Sequence, residues 1–189
     1  MQEPNPTVKK HKPRSPLGKL FEMVLWSLSA ALLVLALWPR DSGPSEGASA
    51  PQFQVPLLSE QGSFSFSGKR ERPLLIEAFA SWCSACRRNS GLLNSFESSS
   101  YAQKIDTLAI SVEESASNAR RAMRDWPIHG KVAHDNLKQF SRKFSISVLP
   151  TYILIDRDGR VADVAVGGVT SRQLREWTEL SETAQSKSD

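Results

Sequence analysis

The chain has 189 residues, of which 40% are hydrophobic and 23% are charged. This length suits one domain with short appendages, and the composition excludes a wholly disordered chain and a protein with many membrane spans. The formal net charge of +4 arises in residues 1–19, which hold five basic side chains and one acidic side chain. Because the remaining residues hold equal numbers of both signs, we expect no nucleic acid partner.

An apolar stretch at residues 20–38 follows the basic tail. Residues 23–38 carry no charge. A helix of about 18 residues rises roughly 27 Å, which is just adequate for the hydrocarbon core of a bilayer. Since the basic residues precede the stretch, the positive-inside rule predicts a cytoplasmic N-terminus. The sequence therefore predicts a single-pass signal anchor that holds a C-terminal domain in the periplasm or an equivalent extracytoplasmic space.

Two other interpretations of this stretch remain open, namely a cleaved signal peptide and a buried helix of a soluble protein. The small residues of Ala48-Ser49-Ala50 resemble a cleavage site. The site lies about twelve residues beyond the apolar run, which is far for a signal peptide. With the anchor favoured, the chain divides into a cytoplasmic tail (1–19), an anchor (20–38), a flexible linker (39–51), a folded domain (52–183) and a disordered tail (184–189).

Strand-like and helix-like segments alternate within the folded domain. Apolar runs and alternations predict strands at residues 53–58, 63–67, 74–80, 105–112, 132–133, 151–155 and 160–166. Helices are predicted from residue 84, at 113–125, at 136–144 and after Ser171, which is a suitable N-cap. A turn at residues 60–62 makes a hairpin of the first two strands. This order of elements predicts an α/β sandwich.

Cys83 and Cys86 are the two cysteines of the chain, and they lie where a buried strand gives way to a helix. Unpaired N–H groups and the helix dipole favour an anion at a helix N-terminus, so we expect a lowered pKa for the Cys83 thiol. Cys86, one helical turn later, is placed to attack a mixed disulfide at Cys83. The pair is therefore predicted to be a redox couple.

Two alternatives to the redox couple stay open. A purely structural disulfide across so short a loop would remove little chain entropy from the unfolded state. A copper or zinc site would need further ligands, for which His129 and His134 are available. In the favoured interpretation we expect neither a metal nor another cofactor.

Two motifs give the chain a family resemblance. The segment ASWCSAC at residues 80–86 resembles the W-C-x-x-C active site of the thioredoxin superfamily, and VLPT at residues 148–151 resembles its cis-proline loop. The apolar N-terminal stretch, the hairpin and the extra segment at residues 112–131 resemble the membrane-anchored TlpA-like branch. The resemblance implies a thioredoxin-like three-layer α/β/α sandwich with an N-terminal β-hairpin, preceded by one transmembrane helix.

The resemblance also implies where a substrate would bind. Pro150 is expected to be cis and to lie against the disulfide, where the neighbouring backbone at Leu149 and Thr151 would pair with an extended partner peptide. Trp82 is expected to cover the rim of the site, although simple core packing is the alternative.

The same resemblance implies a proton acceptor. Glu77 lies six residues before Cys83, at the position of a buried acid in thioredoxin. An acid with a raised pKa at this point would take the proton from Cys86 as that cysteine attacks. The alternative is a partly exposed glutamate held in an ion pair.

Several residues near the cysteines depart from the family pattern. The dipeptide at residues 84–85 is Ser-Ala, which lacks both the proline common in reducing relatives and the histidine of strong oxidants. Without that histidine less stabilisation of the thiolate is expected, which favours a reductant. Arg87 and Arg88 either lower the cysteine pKa or are merely solvated. Glu113 and Glu114 lie in the extra segment, from which one of them could approach the active site.

The predicted function is that of an extracytoplasmic thiol-disulfide oxidoreductase. By family analogy, it would reduce disulfides in exported proteins such as apocytochrome c and be reduced again by a membrane electron donor. One alternative is an oxidase or isomerase that runs the exchange in the other direction. Another is a copper-handling protein that uses the cysteine pair and His134.

Overall fold

The computed structural model describes residues 16–37, 44–128 and 130–183. The chain forms two compact units, Met1–Arg40 and Asp41–Asp189. The first unit contains helix α1 (Pro16–Leu37), which covers most of the predicted anchor. Within the described ranges, no helix combines the length and the apolar character needed to cross a membrane.

Parts of the predicted terminal segments lie outside the described residues. They are most of the basic tail (1–15), the last residue of the anchor (38), the start of the linker (39–43) and the whole C-terminal tail (184–189).

The second unit contains a hairpin, a five-stranded sheet and four α-helices among its described residues. Its strands are β1 (Phe53–Pro56), β2 (Ser63–Phe66), β3 (Leu74–Phe79), β4 (Asp106–Ser111), β5 (Lys131–His134), β6 (Thr151–Ile155) and β7 (Val161–Val166). Its α-helices are α2 (Ser84–Glu97), α3 (Ala116–Asp125), α4 (Gln139–Lys143) and α5 (Ser171–Thr183), and a 3₁₀ helix covers Ser100–Gln103.

The main sheet has the strand order β5-β4-β3-β6-β7, so β3 lies at its centre. Strands β3, β4 and β5 are parallel, and β6 and β7 continue the sheet antiparallel. Every residue of β3 is buried, as expected for a continuous apolar run with layers on both faces. The register pairs Phe79, the last residue of β3, with Ser111, the last residue of β4.

The two faces of the sheet are covered by different elements. On one face, Leu75, Tyr152 and Leu154 pack with apolar residues of α2 and α5. On the other face, alternate residues of the same strands, such as Leu74 and Ile76, pack with the hairpin and α4. Successive side chains of a strand point to opposite faces, so Glu77 lies on the α2 face.

Some helix boundaries differ from the sequence prediction. Helix α3 begins at Ala116 rather than at Glu113, whose side chain is engaged with the active-site loop. The last helix is capped by Thr170 rather than by Ser171, because the Thr170 hydroxyl accepts a hydrogen bond from the Gln173 N–H at 3.2 Å.

The end of the predicted flexible linker is ordered. Gly47 N–H donates to the Val161 carbonyl at 2.7 Å, and Val161 N–H donates to the Ala48 carbonyl at 2.9 Å. Ala50 is buried, and its N–H donates to the Gly159 carbonyl at 2.8 Å. Residues 47–50 therefore line the start of β7, so the folded unit begins before the predicted boundary at residue 52.

Candidate active site

The cysteine pair lies at the carboxyl edge of the central strand. A four-residue loop leads from β3 to α2, and Cys83 is the N-cap of that helix with an extended backbone. Its Sγ accepts a hydrogen bond from the Cys86 N–H at 3.1 Å. The two sulfurs are joined in a disulfide, with 5.3 Å between the Cα atoms. The helix N-terminus thus faces the sulfur that the sequence predicts to be the nucleophile.

Both cysteines are buried, Cys86 more deeply than Cys83. They belong to an apolar cluster that includes Phe79 at the end of β3 and residues of α3 such as Ala119. This packing leaves only a narrow edge of the disulfide for a partner, and that edge belongs mainly to Cys83.

The proline loop meets the same cluster. The Leu149–Pro150 peptide bond is cis. Leu149 is half-buried and packs against the cluster that contains both cysteines. The Thr151 hydroxyl donates to the Val148 carbonyl at 2.7 Å, which closes the loop before β6 begins. The structure thus brings the predicted substrate-binding segment and the cysteine pair to one site.

Trp82 lies between Ser81 and Cys83 in the loop before α2, and it is 72% exposed. Simple core packing, the alternative considered for this residue, does not describe its environment. An exposed indole beside a disulfide offers a large apolar contact to a partner protein.

Glu77 is buried in β3 directly opposite Tyr152 of β6. The Tyr152 hydroxyl donates to Glu77 Oε1 at 2.9 Å. Burial raises the pKa of the Glu77 carboxyl from the ordinary value of 4.5 to about 8; the Tyr152 hydrogen bond opposes this rise and the charge of Glu97 adds to it. The pKa of Tyr152 is raised as well, first by burial and then by its acidic neighbour. The partly exposed, ion-paired glutamate considered from sequence does not describe this residue.

A narrow cleft of about 20 Å³ reaches Glu77 between α2 and β4. Ser90 lines it, one helical turn after Cys86, and Glu97 and Thr107 line it further out. A volume of this size has room for about one water molecule. The cleft therefore brings the Glu77 carboxyl and Ser90 to one small cavity, whose other lining is largely apolar.

The structure adds Glu113 to the site. Both of its carboxylate oxygens accept hydrogen bonds from Ser81 in the loop before the cysteines. The sequence placed Glu113 and Glu114 together in an extra segment without separating them. In the structure Glu113 is buried, whereas Glu114 is exposed.

The remaining candidate residues lie apart from this arrangement. Arg87 and Arg88 are exposed on α2. His134 is buried, and its Nε2 lies 2.9 Å from the Glu113 carbonyl oxygen. His129 lies outside the described residues. In the part of the chain that is described, no group of three or more His, Cys, Asp and Glu side chains is placed to hold a metal ion.

The fold and the site together define a thioredoxin-like protein with a C-x-x-C redox pair beside a cis-proline. Comparisons with known proteins agree. The Redoxin family model matches residues 45–180, and the chain belongs to this family. It is a TlpA-like member of the thioredoxin superfamily and a protein-disulfide oxidoreductase.

Individual relatives support this assignment. Thioredoxin-like protein YneN of Bacillus subtilis is 24% identical over 144 residues, which cover 75% of this chain and 83% of that protein. Thiol-disulfide oxidoreductase ResA of Bacillus subtilis is 23% identical over 136 residues, which cover 72% of this chain and 75% of ResA.

A solved structure supports the predicted fold class. A protein of Chlorobium tepidum described as a thiol:disulfide interchange protein DsbE is 25% identical and has a TM-score of 0.66, covering 74% of this chain and 99% of that chain. The predicted thioredoxin-like α/β fold is confirmed.

Proposed function

We propose that this protein reduces disulfide bonds in exported proteins. The observation that carries the proposal is the Cys83–Cys86 pair at the N-terminus of α2, beside the cis-proline loop. In the reduced protein, the Cys83 thiolate attacks a substrate disulfide and forms a mixed disulfide, while one substrate sulfur leaves as a thiolate. Cys86 then attacks Cys83 Sγ and releases the second substrate sulfur. Two electrons pass to the substrate, and the protein is left with its disulfide.

In this reaction Glu77 would take the proton that Cys86 loses as it attacks. A pKa of about 8 supports this role, because a carboxyl that titrates near neutral pH can both accept and return a proton. The cleft beside Ser90 supports it as well, since it leads toward the helix face that carries Cys86. The buried carboxyl thus shares a cleft with Ser90, which lies one helical turn after Cys86 in α2.

An extended segment of the substrate would bind across the proline loop. Its backbone would pair near Pro150, flanked by Leu149 and Thr151, and its apolar side chains would contact Trp82. The exposure of Trp82 and the packing of Leu149 against the cysteine cluster support this binding mode.

The direction of electron flow and the place of action are further parts of the proposal. The absence of a histidine between the cysteines favours the reductant. The basic tail and the apolar stretch at residues 20–38 favour a membrane-anchored protein whose domain faces the periplasm or an equivalent space. The TlpA-like resemblance makes apocytochrome c the first candidate substrate, with a membrane electron donor to restore the thiols.

Trapping of the mixed disulfide tests this proposal. Replacing Cys86 with Ala removes the resolving sulfur, so we expect covalent adducts with exported proteins at Cys83 that disappear on treatment with a reductant. The matched variant Cys83→Ala should form none. Adducts that form equally in both variants, or in neither, would contradict the proposed exchange.

The reduction potential of the pair decides the direction. We expect a value near about −270 mV, as in thioredoxin, from equilibration with glutathione or dithiothreitol. A value near about −120 mV, as in strong periplasmic oxidants, would show that the protein oxidises its partners instead.

A further inference from the structure

The carboxylate of Glu113 is bonded to the loop that carries the cysteines. Ser81 N–H donates to Glu113 Oε1 at 3.1 Å, and the Ser81 hydroxyl donates to Oε2 at 2.7 Å. The Ser111 hydroxyl also donates to Oε1, at 3.1 Å. Glu113 is only 7% exposed. A buried carboxylate is stable only when its oxygens are hydrogen-bonded, and here two of the three donors belong to Ser81.

The strand register explains why these two residues meet. Strands β3 and β4 are parallel, with Phe79 opposite Ser111, and Val112 N–H donates to the Phe79 carbonyl at 2.9 Å. Ser81 and Glu113 each lie two residues beyond this last pair. The carboxyl ends of parallel strands meet at the same edge of a sheet, so the two side chains become neighbours there.

The backbone around Glu113 is held by residues at the end of β5 and the start of α4. His134 Nε2 contacts the Glu113 carbonyl oxygen at 2.9 Å, and Asp135 N–H donates to the Ser111 carbonyl at 2.9 Å. The Lys138 ammonium donates to the Val112 carbonyl. The backbone that presents the carboxylate is thus tied to β5 and to the start of α4. A side chain held in this way provides a rigid attachment for the loop.

The loop has few other hydrogen bonds before the helix, and its remaining attachment is the packing of Ala80 and Cys83 in the apolar cluster. Cys83 N–H donates to the Ala80 carbonyl at 3.0 Å within the loop itself. Trp82 is largely exposed and adds little anchoring. Ser81 is therefore the loop residue that is hydrogen-bonded to the segment after β4, two positions before the N-cap sulfur.

We propose that Glu113 is a positioning residue for Cys83. It holds Ser81 so that Cys83 stays at the N-cap of α2 when the disulfide is open. In the oxidised protein the S–S bond also restrains Cys83, whereas the reduced protein loses that restraint and depends on the loop attachment. The role is to accept hydrogen bonds in a fixed geometry rather than to supply charge. The inference rests on the proposed reaction, in which Cys83 attacks as a thiolate.

Two substitutions separate geometry from charge. In Glu113→Gln, the amide oxygen can accept the bonds that Oε1 accepts, and the amide N–H can donate to the Ser81 hydroxyl, which rotates to suit. Glu113→Ala removes every acceptor. We expect Glu113→Ala to lower both kcat/KM for a disulfide-containing peptide and the alkylation rate of reduced Cys83 by iodoacetamide about tenfold or more. Glu113→Gln should keep both within about twofold.

Two further variants complete the test, one as a control for lost stability and one as a milder change to the same contact. Asp106→Ala removes ion pairs with Arg70 and Arg72 at the far end of the same strand β4, and it should leave the Cys83 alkylation rate unchanged. Ser81→Ala removes only the hydroxyl donor and serves if Glu113→Ala does not fold. It should slow alkylation to a lesser degree while the protein remains folded by circular dichroism. In the double variant Ser81→Ala/Glu113→Ala, the two losses of Cys83 alkylation rate should not add, because both substitutions remove the same contact.

The outcomes distinguish this inference from the reaction on which it rests. Equal losses of kcat/KM and of the Cys83 alkylation rate in Glu113→Gln and Glu113→Ala would assign a charge role to Glu113 and overturn the positioning role. Unchanged alkylation in folded Glu113→Ala and Ser81→Ala would overturn it as well. A wild-type protein no more active than Cys83→Ser would instead overturn the proposed reaction.

Discussion

Glu77 is the residue whose chemistry is changed most by its position. It lies in the central strand of the sheet, where the other residues of β3 are apolar, and its nearest polar partner is a tyrosine that is itself fully buried. Ionisation of the carboxyl would place a negative charge at this site without a cation among its bonded partners. Burial therefore favours the protonated form and raises the pKa.

This shift predicts a pH-dependent stability. The unfolded chain releases the Glu77 proton near pH 4.5, whereas the folded chain retains it to about pH 8. The folded state thus binds the extra proton between these values, and the contribution of Glu77 to stability falls as pH rises through the window. We expect Glu77→Gln to remove a slope of up to about 1.4 kcal/mol per pH unit from the free energy of unfolding. Urea titrations of the oxidised protein from pH 4 to 9 measure this difference.

A second variant checks the cause. The Tyr152 hydrogen bond lowers the pKa of Glu77, so Tyr152→Phe should raise that pKa and extend the sloping window to higher pH. Identical pH profiles for the wild type and Glu77→Gln would contradict a protonated Glu77 in the folded protein.

The site residues differ in how far sequence could predict them. Cys83 and Cys86 could be predicted because their pattern is local. The four residues of the C-x-x-C motif lie where a predicted strand is followed at once by a predicted helix. The role of Glu113 depends on the register between β3 and β4, across 32 positions of sequence. Once both strand ends were known to lie at Phe79 and Ser111, equal offsets would have paired Ser81 with Glu113. The predicted strand ends at residues 80 and 112 have the same offset, but the sequence pattern alone assigns neither the pairing nor the register of these two strands, so it does not predict the contact.

At the scale of elements, the hairpin closes one face of the sheet. Phe53 of β1 lies against the rings of Phe64 and Phe66 in the hairpin and of Phe140 and Phe144 near α4, with centroid separations of 5.2–6.1 Å. Its side chain is 4% exposed. Phe53 therefore brings four other aromatic rings together where the hairpin meets the core, in a cluster that also buries Val55.

Truncation of this ring should destabilise the whole domain. We expect Phe53→Ala to lower the free energy of unfolding by about 3–5 kcal/mol, because it removes the buried ring and leaves a cavity. Chemical denaturation of the oxidised protein measures the change. Leu137→Ala, at a side chain that is 62% exposed, is the matched control and should change it by less than about 0.5 kcal/mol. A Phe53→Ala protein as stable as this control would show that the hairpin folds independently of the sheet.

The predicted bounds of an element match the observed ones where the local sequence marks both of its ends. Strand β6 was predicted at its observed residues, since an apolar run between a proline and a turn has well-marked ends. Residues 47–50 were assigned to the linker because Gly, Ser and Ala carry no core-forming pattern. Their order comes from backbone hydrogen bonds to the start of β7, which any small residue can make and which composition does not reveal.

At the scale of the whole molecule, α1 differs from every other helix described. Between residues 19 and 33, where its side chains are described, the large apolar ones are exposed, including Leu25, Trp26, Leu28 and Leu32. Large apolar side chains are more stable in a protein core or in a lipid bilayer than in water. Together with the basic residues that precede it, this pattern supports the proposal that α1 anchors the protein.

Charge insertion into α1 tests the anchor. We expect the full chain to remain in the membrane fraction after extraction with alkaline carbonate, and its domain to be digested by protease added to spheroplasts. An arginine at the centre of a membrane helix is unfavourable by about 2.5–3.5 kcal/mol, so the double variant Leu28→Arg/Leu32→Arg should move into the soluble fraction. Leu137→Arg adds the same charge at an exposed position outside α1 and should stay with the membrane.

Two outcomes would contradict the anchor, each in its own way. A wild-type chain that is extracted by carbonate and protected from protease in spheroplasts would place the domain inside the cell, free of the bilayer. A soluble exported form whose N-terminus is Pro51 would instead identify residues 1–50 as a cleaved signal peptide. Since residues 47–50 pair with the start of β7, such cleavage would also remove backbone hydrogen bonds from the folded unit, and the shortened form should unfold at a lower urea concentration than the full chain.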